Sequence, residues 1–245
     1  MPRISLLRVA MGVLLGLILW VQPAAAASKL ILALGDGSYI RSGAVKGWTG
    51  AEVKRGLGKY ELVEFAVVIL SNISYGGLPE AVRGGLSEYL SRGGSLLITG
   101  GPNAYGSGGY QAMADLIPFE IRGERDWRAV PFKPVIPLQT GHPILSGVTF
   151  QTVGNFNDLN AKPGAAEIAQ YAGGGTAQGA QFASPLIVEQ SVGQGTVVGV
   201  AFDLGQEVRG GWADGTRFVR NLLTYLVERS PLKPKPREGY RGGRR

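Results

Sequence analysis

Residues 65–99 constrain the fold most strongly, because they predict a strand, a helix and a second strand within about 35 residues. The runs 65–70 (FAVVIL) and 95–99 (SLLIT) are apolar and bounded by turn residues, which is typical of strands buried on both faces. Between them, residues 79–91 place their apolar side chains on one stripe at helical spacing. A unit of this size is a right-handed crossover, so its two strands must be parallel.

Apolar segments on both sides of this unit extend the sheet. Residues 29–34 (KLILAL) predict an opening strand that ends in a tight loop, and residues 216–227 predict a closing helix with a broad apolar face. The other predicted elements are a short helix at 110–116, strands at 119–122, 148–153, 166–171, 185–189 and 196–202, an extended segment at 131–143 and a loop at 173–179. This order predicts one α/β domain at residues 28–229 with a three-layer core.

The first 27 residues are typical of a secretory signal peptide. Arg3 and Arg8 precede an apolar run at 9–21, and the small residues 24–27 offer a cleavage site after Ala26 or Ala27. Retention of the run as a membrane anchor is the alternative, although a membrane helix needs about 20 residues. We therefore expect a periplasmic or secreted domain of the bacterial envelope.

The net charge of +7 belongs to the two ends of the chain. Residues 28–229 contain 17 bases and 17 acids, so the body gives no electrostatic reason to bind nucleic acid, and we expect none. Residues 230–245 hold six bases against Glu238 and mix proline with glycine, which predicts a disordered basic tail. Such a tail suits contact with an anionic lipid or polymer surface, the alternative being a tail that is merely solvated.

The chain has no cysteine and a single histidine, His142. The absence of cysteine excludes disulfides, thiolate metal sites and a cysteine nucleophile. An Asp36–Asp203 pair lacks the further ligands that a metal site needs, so we expect no metal and no cofactor. His142 precedes Pro143, where we expect it to cap a turn.

A glycine-rich loop follows Thr99, at the carboxyl end of a predicted central strand. Open α/β sheets place their ligand crevices at this edge, and exposed backbone N–H groups there suit an anion or a sugar hydroxyl. The alternative is that the glycines only permit positive φ in a tight turn. The candidate ligand-binding residues are Asp36, Asn72, Thr99, Gly100, Gly101, Asn103, Tyr105, Gly108, Gly109 and Tyr110, with the two tyrosines as stacking surfaces.

Residues 65–116 resemble the class I glutamine amidotransferase-like domains of bacteria, which are related to the trehalose-utilisation-type proteins. The similarity is carried by the strand VVIL, the segment LSEYLSRGGSLLITGG and the loop PNAYGSGGY. It continues at 141–145 (GHPIL), at 185–204 (PLIVEQSVGQGTVVGVAFDL), at Trp212 and in the final helix FVRNLLTYL. The resemblance implies a flavodoxin-like, mostly parallel sheet flanked by helices.

The resemblance does not carry the amidotransferase reaction with it. Such enzymes hydrolyse glutamine with a Cys-His-Glu triad, and the turn that holds their cysteine falls here at about Thr99 and Gly100. Thr99 is the only hydroxyl at that turn, and it would need a base within hydrogen-bond reach. His142 does not match the triad histidine, so we expect no enzyme activity.

We therefore expect an exported, catalytically inactive domain that acts as an interaction or scaffold module of the envelope, with an unidentified protein partner. The alternative is a small-molecule or glycan binding domain that uses the glycine-rich loop. A hydrolase built on Thr99 or on a pair of acids has the least support.

Overall fold

A nine-stranded sheet forms the centre of the fold in the computed structural model, which describes residues 28–172 and 184–236. The strands are β1 Leu30–Gly35, β2 Glu52–Lys54, β3 Val67–Ser71, β4 Ser95–Thr99, β5 Phe119–Ile121, β6 Trp127–Pro137, β7 Thr152–Asn157, β8 Leu159–Ala161, β9 Ala166–Tyr171, β10 Pro185–Val192 and β11 Gly195–Val200. The helices are α1 Ser42–Thr49, α2 Glu80–Ser91, α3 Leu204–Arg209 and α4 Gly215–Arg229. The predicted signal peptide, the predicted loop at 173–179 and residues 237–245 of the predicted tail lie outside the described residues.

The strand order in the large sheet is β2-β1-β3-β4-β11-β10-β9-β6-β7, and β5 pairs with β8 in a separate ribbon. The predicted crossover is confirmed, because β3 and β4 pair in parallel with Val67 opposite Ser95 and Ser71 opposite Thr99. From β2 to β11 the four pairings are parallel, and from β11 to β7 the four pairings are antiparallel. The described residues therefore form a mixed α/β fold whose sheet is half parallel, where the sequence predicted a mostly parallel one.

Helix α2 is fixed to the sheet by a buried tyrosine. Val82, Leu86, Tyr89 and Leu90 form its buried face, and burying a side chain of this size contributes about 2 kcal/mol. The Tyr89 hydroxyl lies 2.8 Å from the carbonyl oxygen of Ser95 in β4 and 3.1 Å from that of Ala66, the residue before β3. A Cβ on Gly94 would lie 2.3 Å from the Tyr89 ring, which is why this position needs glycine.

The closing helix packs as its apolar face predicts. Phe218, Leu222, Leu223 and Leu226 are fully buried, and α4 contacts β3, β4 and β11 as well as α1. No helix among residues 28–172 and 184–236 is both long enough and apolar enough to cross a membrane.

One strand prediction in the middle of the chain needs correction. The predicted strand at 148–153 is instead a loop that leads into β7 at Thr152. Phe150 stacks on Trp212 with ring centroids 5.3 Å apart, and Trp212 Nε1 donates to the Thr149 carbonyl oxygen. These contacts with a distant loop override the local strand pattern.

The contacts of the domain continue beyond Arg229, where the sequence placed the start of the tail. Ser230 is buried, and the Lys235 backbone N–H donates to Glu64 at 2.8 Å. Lys29 Nζ lies 2.6 Å from the carbonyl oxygens of both Val227 and Ser230. The first seven residues of the predicted tail, 230–236, therefore run along the body.

Candidate functional site

The carboxyl ends of four parallel strands meet at one edge of the sheet. Gly35 pairs with Ser71, Ser71 pairs with Thr99, and Thr99 pairs with Val200, so the loops that follow these residues are neighbours. The predicted convergence of Asp36, Asn72, the glycine-rich loop and Asp203 is a direct consequence of this register. We call this region the carboxyl edge.

Thr99 lies below the carboxyl edge in a chain of buried hydroxyl groups. Its Oγ1 is 2.9 Å from Ser71 Oγ, and the Tyr39 hydroxyl donates to the same Ser71 Oγ at 3.2 Å. Burial raises the pKa of Tyr39 to about 12, and the nearby charges of Asp203 and Asp36 act in the same direction. Within the described residues no histidine or carboxylate hydrogen-bonds to Thr99, so the geometry supplies no base to activate it.

Asn157 and Val200, which are distant in sequence, accept hydrogen bonds from the backbone N–H groups at the start of the glycine-rich loop. The Gly101 N–H donates to Asn157 Oδ1 at 2.9 Å, and Asn157 Nδ2 donates back to the Gly101 carbonyl oxygen at 3.2 Å. The Gly100 N–H donates to the Val200 carbonyl oxygen at 2.7 Å. Asn157 is fully buried, so it closes the crevice where a ligand was expected.

Asp126 accepts hydrogen bonds from the middle of the glycine-rich loop. Its carboxylate accepts from the Gly106 N–H at 2.9 Å, from the Ser107 N–H at 2.8 Å and from the Ser107 hydroxyl at 2.7 Å. Asp126 is 2% exposed. Protein acceptors thus receive the backbone N–H groups of Gly100, Gly101, Asn103, Ala104, Gly106, Ser107, Gly108 and Gly109. These are the backbone N–H groups that the sequence suggested for binding an anion or a sugar, and each is already hydrogen-bonded within the protein.

Tyr105 and Tyr110 are core residues and present no stacking face, which corrects the expectation for both. Each is fully buried, and their rings contact each other at a centroid distance of 5.9 Å. The Tyr110 hydroxyl donates to the Ile73 carbonyl oxygen at 2.7 Å, and the Tyr105 hydroxyl lies 3.2 Å from the carbonyl oxygens of Ile98 and Val200. Burial raises the pKa of Tyr105 well above its usual value.

The aspartates of the carboxyl edge have structural partners. Asp203 caps α3 by accepting the Gln206 N–H at 2.8 Å, and its other oxygen accepts from Asn72 Nδ2 at 3.0 Å. Asp36 forms an ion pair with Arg209 at 2.6 Å. Burial raises the pKa of Asp203. Burial acts in the same direction on Asp36, but hydrogen bonds from Arg209 and Ser38 outweigh it and hold that pKa below its usual value.

Metal binding finds no support in the part of the chain that the structure describes. No group of three or more histidine, aspartate or glutamate side chains there could hold an ion. Asp36 and Asp203 are held instead by Arg209 and Asn72, as described above.

His142 caps a turn, as the sequence predicted, and lies in a separate cluster. Its Nδ1 accepts from the Ile144 N–H at 3.3 Å, and its Nε2 is 3.4 Å from Glu189. Burial lowers the pKa of His142, although Glu189 opposes this effect. Tyr225 donates to Glu189 at 2.8 Å, so the Glu189 carboxylate is shared by a tyrosine and a histidine. Beside them, a shallow groove of about 460 Å³ runs along α4.

Sequence reasoning missed three residues of this edge: Asp126 and Asn157 as partners of the glycine-rich loop, and Arg209 as the partner of Asp36. Asn157 lies 56 positions from Gly101, and Asp126 lies 20 positions from Gly106. No local pattern links residues at such separations.

No protein-family model matches the sequence, and no curated protein matches it either. Solved structures with a similar fold include a cytoplasmic protein from Salmonella typhimurium LT2. It superposes with a TM-score of 0.60 at 16% sequence identity, over 81% of this chain and 99% of its own. A ThuA-like protein from Bacteroides uniformis gives a TM-score of 0.56 at 12% identity, over 88% of this chain and 98% of its own.

A catalytic mutant of Gan42B, a GH42 β-galactosidase from G. stearothermophilus, is also similar in fold. It gives a TM-score of 0.53 at 14% identity over 85% of this chain, which corresponds to 31% of the galactosidase. At these identities the likenesses establish the fold alone. The ThuA-like neighbour agrees with the trehalose-utilisation-type relatives that the sequence resembles.

Proposed function

We propose that this chain is an exported, catalytically inactive domain that serves as an interaction or scaffold module of the bacterial envelope. In this proposal the fold is a three-layer, flavodoxin-like variant of the class I glutamine amidotransferase-like domain. The observation that carries the proposal is the closure of the glycine-rich loop by Asn157 and Asp126. Because the domain's own side chains occupy the expected ligand crevice, we propose that it acts on other molecules through its outer surface.

Two further features support a function without catalysis. The sequence has no cysteine, and the hydroxyl that stands nearest to the expected nucleophile position, Thr99, is hydrogen-bonded to Ser71 inside the core. The activity of the similar β-galactosidase is not carried over, because this chain matches about a third of that protein's length.

A glycan or small-molecule binding domain is the second candidate. The observation in its favour is the ion pair of Asp36 with Arg209, whose side chains are 28% and 50% exposed at the carboxyl edge. A carboxylate beside a guanidinium offers both acceptors and donors to a sugar. Because these two groups already satisfy each other, binding there would have to break their pair.

The first residue of the protein recovered from cells tests whether the chain is exported and cleaved. We expect the protein recovered from the cell envelope to begin at Ala27 or Ser28, as read by N-terminal sequencing. Changing Ala24, Ala26 and Ala27 to bulky residues is expected to leave an uncut chain in the membrane fraction. Recovery of the chain in the cytosol with residues 1–27 intact would contradict export.

A further inference from the structure

Strand β6 and the residue that follows it carry exposed large hydrophobic side chains. Phe132 is 73% exposed, Leu138 is 44% exposed and Ile136 is 40% exposed. No other large hydrophobic side chain is exposed among the residues that the structure describes. Phe132 and Ile136 lie in β6 and Leu138 follows its last residue, so the three side chains fall within seven residues of one extended segment. We call these three side chains the β6 row.

Phe132 is held in place although it is exposed. Between Ala129 and Lys133, β6 advances four residues while β7 advances only two, from Asn155 to Val153, so β6 bulges outward there. The Phe132 ring rests on Gly154, where a Cβ would lie 2.5 Å from the ring. The Tyr171 hydroxyl donates to the Pro131 carbonyl oxygen and fixes the base of the bulge. Phe132 is therefore a pre-ordered anchor, which lowers the entropic cost of burying it against a partner.

The backbone under the β6 row has few free polar groups. Pro131, Pro134 and Pro137 have no N–H group. The Pro134 carbonyl oxygen accepts from the Ala172 N–H, and the Leu138 N–H donates to the Ile168 carbonyl oxygen, each at 2.9 Å. A partner that adds a β-strand needs free backbone donors and acceptors, which this segment does not offer. A lipid interface makes no hydrogen bonds in its apolar part, so it suits a backbone that is already satisfied.

The segment that carries the β6 row is basic, with Glu124 preceding it and Glu167 on the paired strand β9. Residues 125–139 contain Arg125, Arg128 and Lys133, and their only acid is Asp126, which is buried against the glycine-rich loop. Arg128 pairs with Asp158 at 3.0 Å. Arg125 and Lys133 form no ion pair with any residue in the described ranges. An apolar anchor with bases beside it is complementary to an anionic lipid surface, whose headgroups attract the bases while the acyl region receives the anchor.

We propose that the β6 row is a membrane-docking surface that inserts Phe132 into the interfacial region of an anionic lipid bilayer. The proposal rests on the exported location given under the proposed function and names the surface and partner through which the module acts. Lys133 and Arg125 contact lipid headgroups, and Ile136 and Leu138 lie against the interface beside Phe132.

The direct test places a fluorescent reporter at the anchor. In the full chain, Phe132→Trp is expected to show a blue shift and added quenching when vesicles of phosphatidylglycerol contain brominated acyl chains. The unmodified chain, which has four tryptophans elsewhere, provides the background signal. Trp20 lies within residues 1–27, so any membrane contact of that segment contributes to the background of both chains, and only the quenching added by Phe132→Trp reports on position 132.

Binding measured by vesicle sedimentation gives the second readout. Phe132→Ser is expected to weaken binding at least tenfold, since the lost side chain removes most of the inserted apolar surface. Lys133→Glu is expected to weaken it by about fivefold or more, whereas Lys46→Glu, an equal charge change on α1, is expected to leave it within twofold. Phosphatidylcholine vesicles are expected to bind more weakly than phosphatidylglycerol vesicles.

Equal quenching of Phe132→Trp and the unmodified chain, or equal binding of the two lysine variants, would overturn the lipid assignment. A photo-crosslinker at position 132 then separates the two proposals. Crosslinks to an envelope protein would overturn lipid docking but retain the interaction function, and crosslinks to neither lipid nor protein would count against both.

Discussion

Replacing Asp126 by alanine is expected to lower the free energy of unfolding by about 3 kcal/mol. The substitution removes an acceptor that serves the Gly106 N–H, the Ser107 N–H and the Ser107 hydroxyl. Gly106 is buried, so its N–H cannot find water in compensation. For a domain of this size, 3 kcal/mol corresponds to a fall in melting temperature of roughly 6–12 °C.

The control for Asp126 is an exposed acid nearby. Glu124→Ala removes a carboxylate two positions away that is exposed, and its effect is expected to stay within about 0.5 kcal/mol. Asp126→Asn is expected to fall between the two, because its amide oxygen still accepts a hydrogen bond. Urea unfolding followed by circular dichroism measures all three. Equal stability of the Asp126→Ala and Glu124→Ala variants would mean that the loop does not depend on Asp126.

Replacing Gly101 by alanine is expected to cost about 3 kcal/mol or more. Gly101 has a φ of 139°, a conformation that favours glycine, and a Cβ would lie 2.3 Å from Asn72 Cγ. Asn72 cannot move aside freely, since it donates to Asp203 and accepts from the Asn103 N–H. The substitution therefore adds backbone strain to a steric clash inside a hydrogen-bonded network.

Gly109→Ala is the matched control for Gly101. Gly109 also has a positive φ, 75°, but nothing lies within 4 Å of the position of its Cβ. Strain alone remains there, so the expected loss is about 1 kcal/mol. A loop that is open to ligands would tolerate both substitutions alike. Equal melting temperatures for the two variants would therefore contradict the closed loop.

The sequence predicts the parallel half of the sheet well, because its signals are local. The bounds of β4 are those predicted, and α2 differs from the prediction only at its first residue. Both elements show an apolar run or stripe ended by glycine or proline, and β3 and β4 are buried on both faces as their continuous apolar runs indicate.

The antiparallel half and several short elements depend on tertiary contacts that leave no local pattern. Helix α1 (SGAVKGWT) has two glycines and one buried side chain, Val45, so its sequence shows no apolar stripe. Strand β6 carries three prolines and is mostly exposed, which hides it from a search for alternating burial.

At the carboxyl edge, too, some features follow from local sequence and others depend on residues distant in the chain. The strand ends predict which loops meet, and they place Asp36, Asn72, Gly101 and Asp203 together. The residues that fill the crevice could not be predicted, because Asp126, directly before β6, and Asn157, at the end of β7, come to the loop from a separate part of the chain. Burial of Tyr105 and Tyr110 follows from the same packing, since Tyr105 contacts Phe119 at a centroid distance of 5.3 Å.

The central claim is that the chain closes its own crevice and acts through its surface. Its most direct test is thermal unfolding of the full chain with saturating sugars, cell-wall fragments, nucleotides and amino acids, glutamine among them. A ligand at a hundredfold its dissociation constant adds about 2.7 kcal/mol, or roughly 5–11 °C in melting temperature. We predict no such shift with any of these compounds. A specific shift that Arg209→Ala abolishes would contradict the claim and make the carboxyl edge a ligand site.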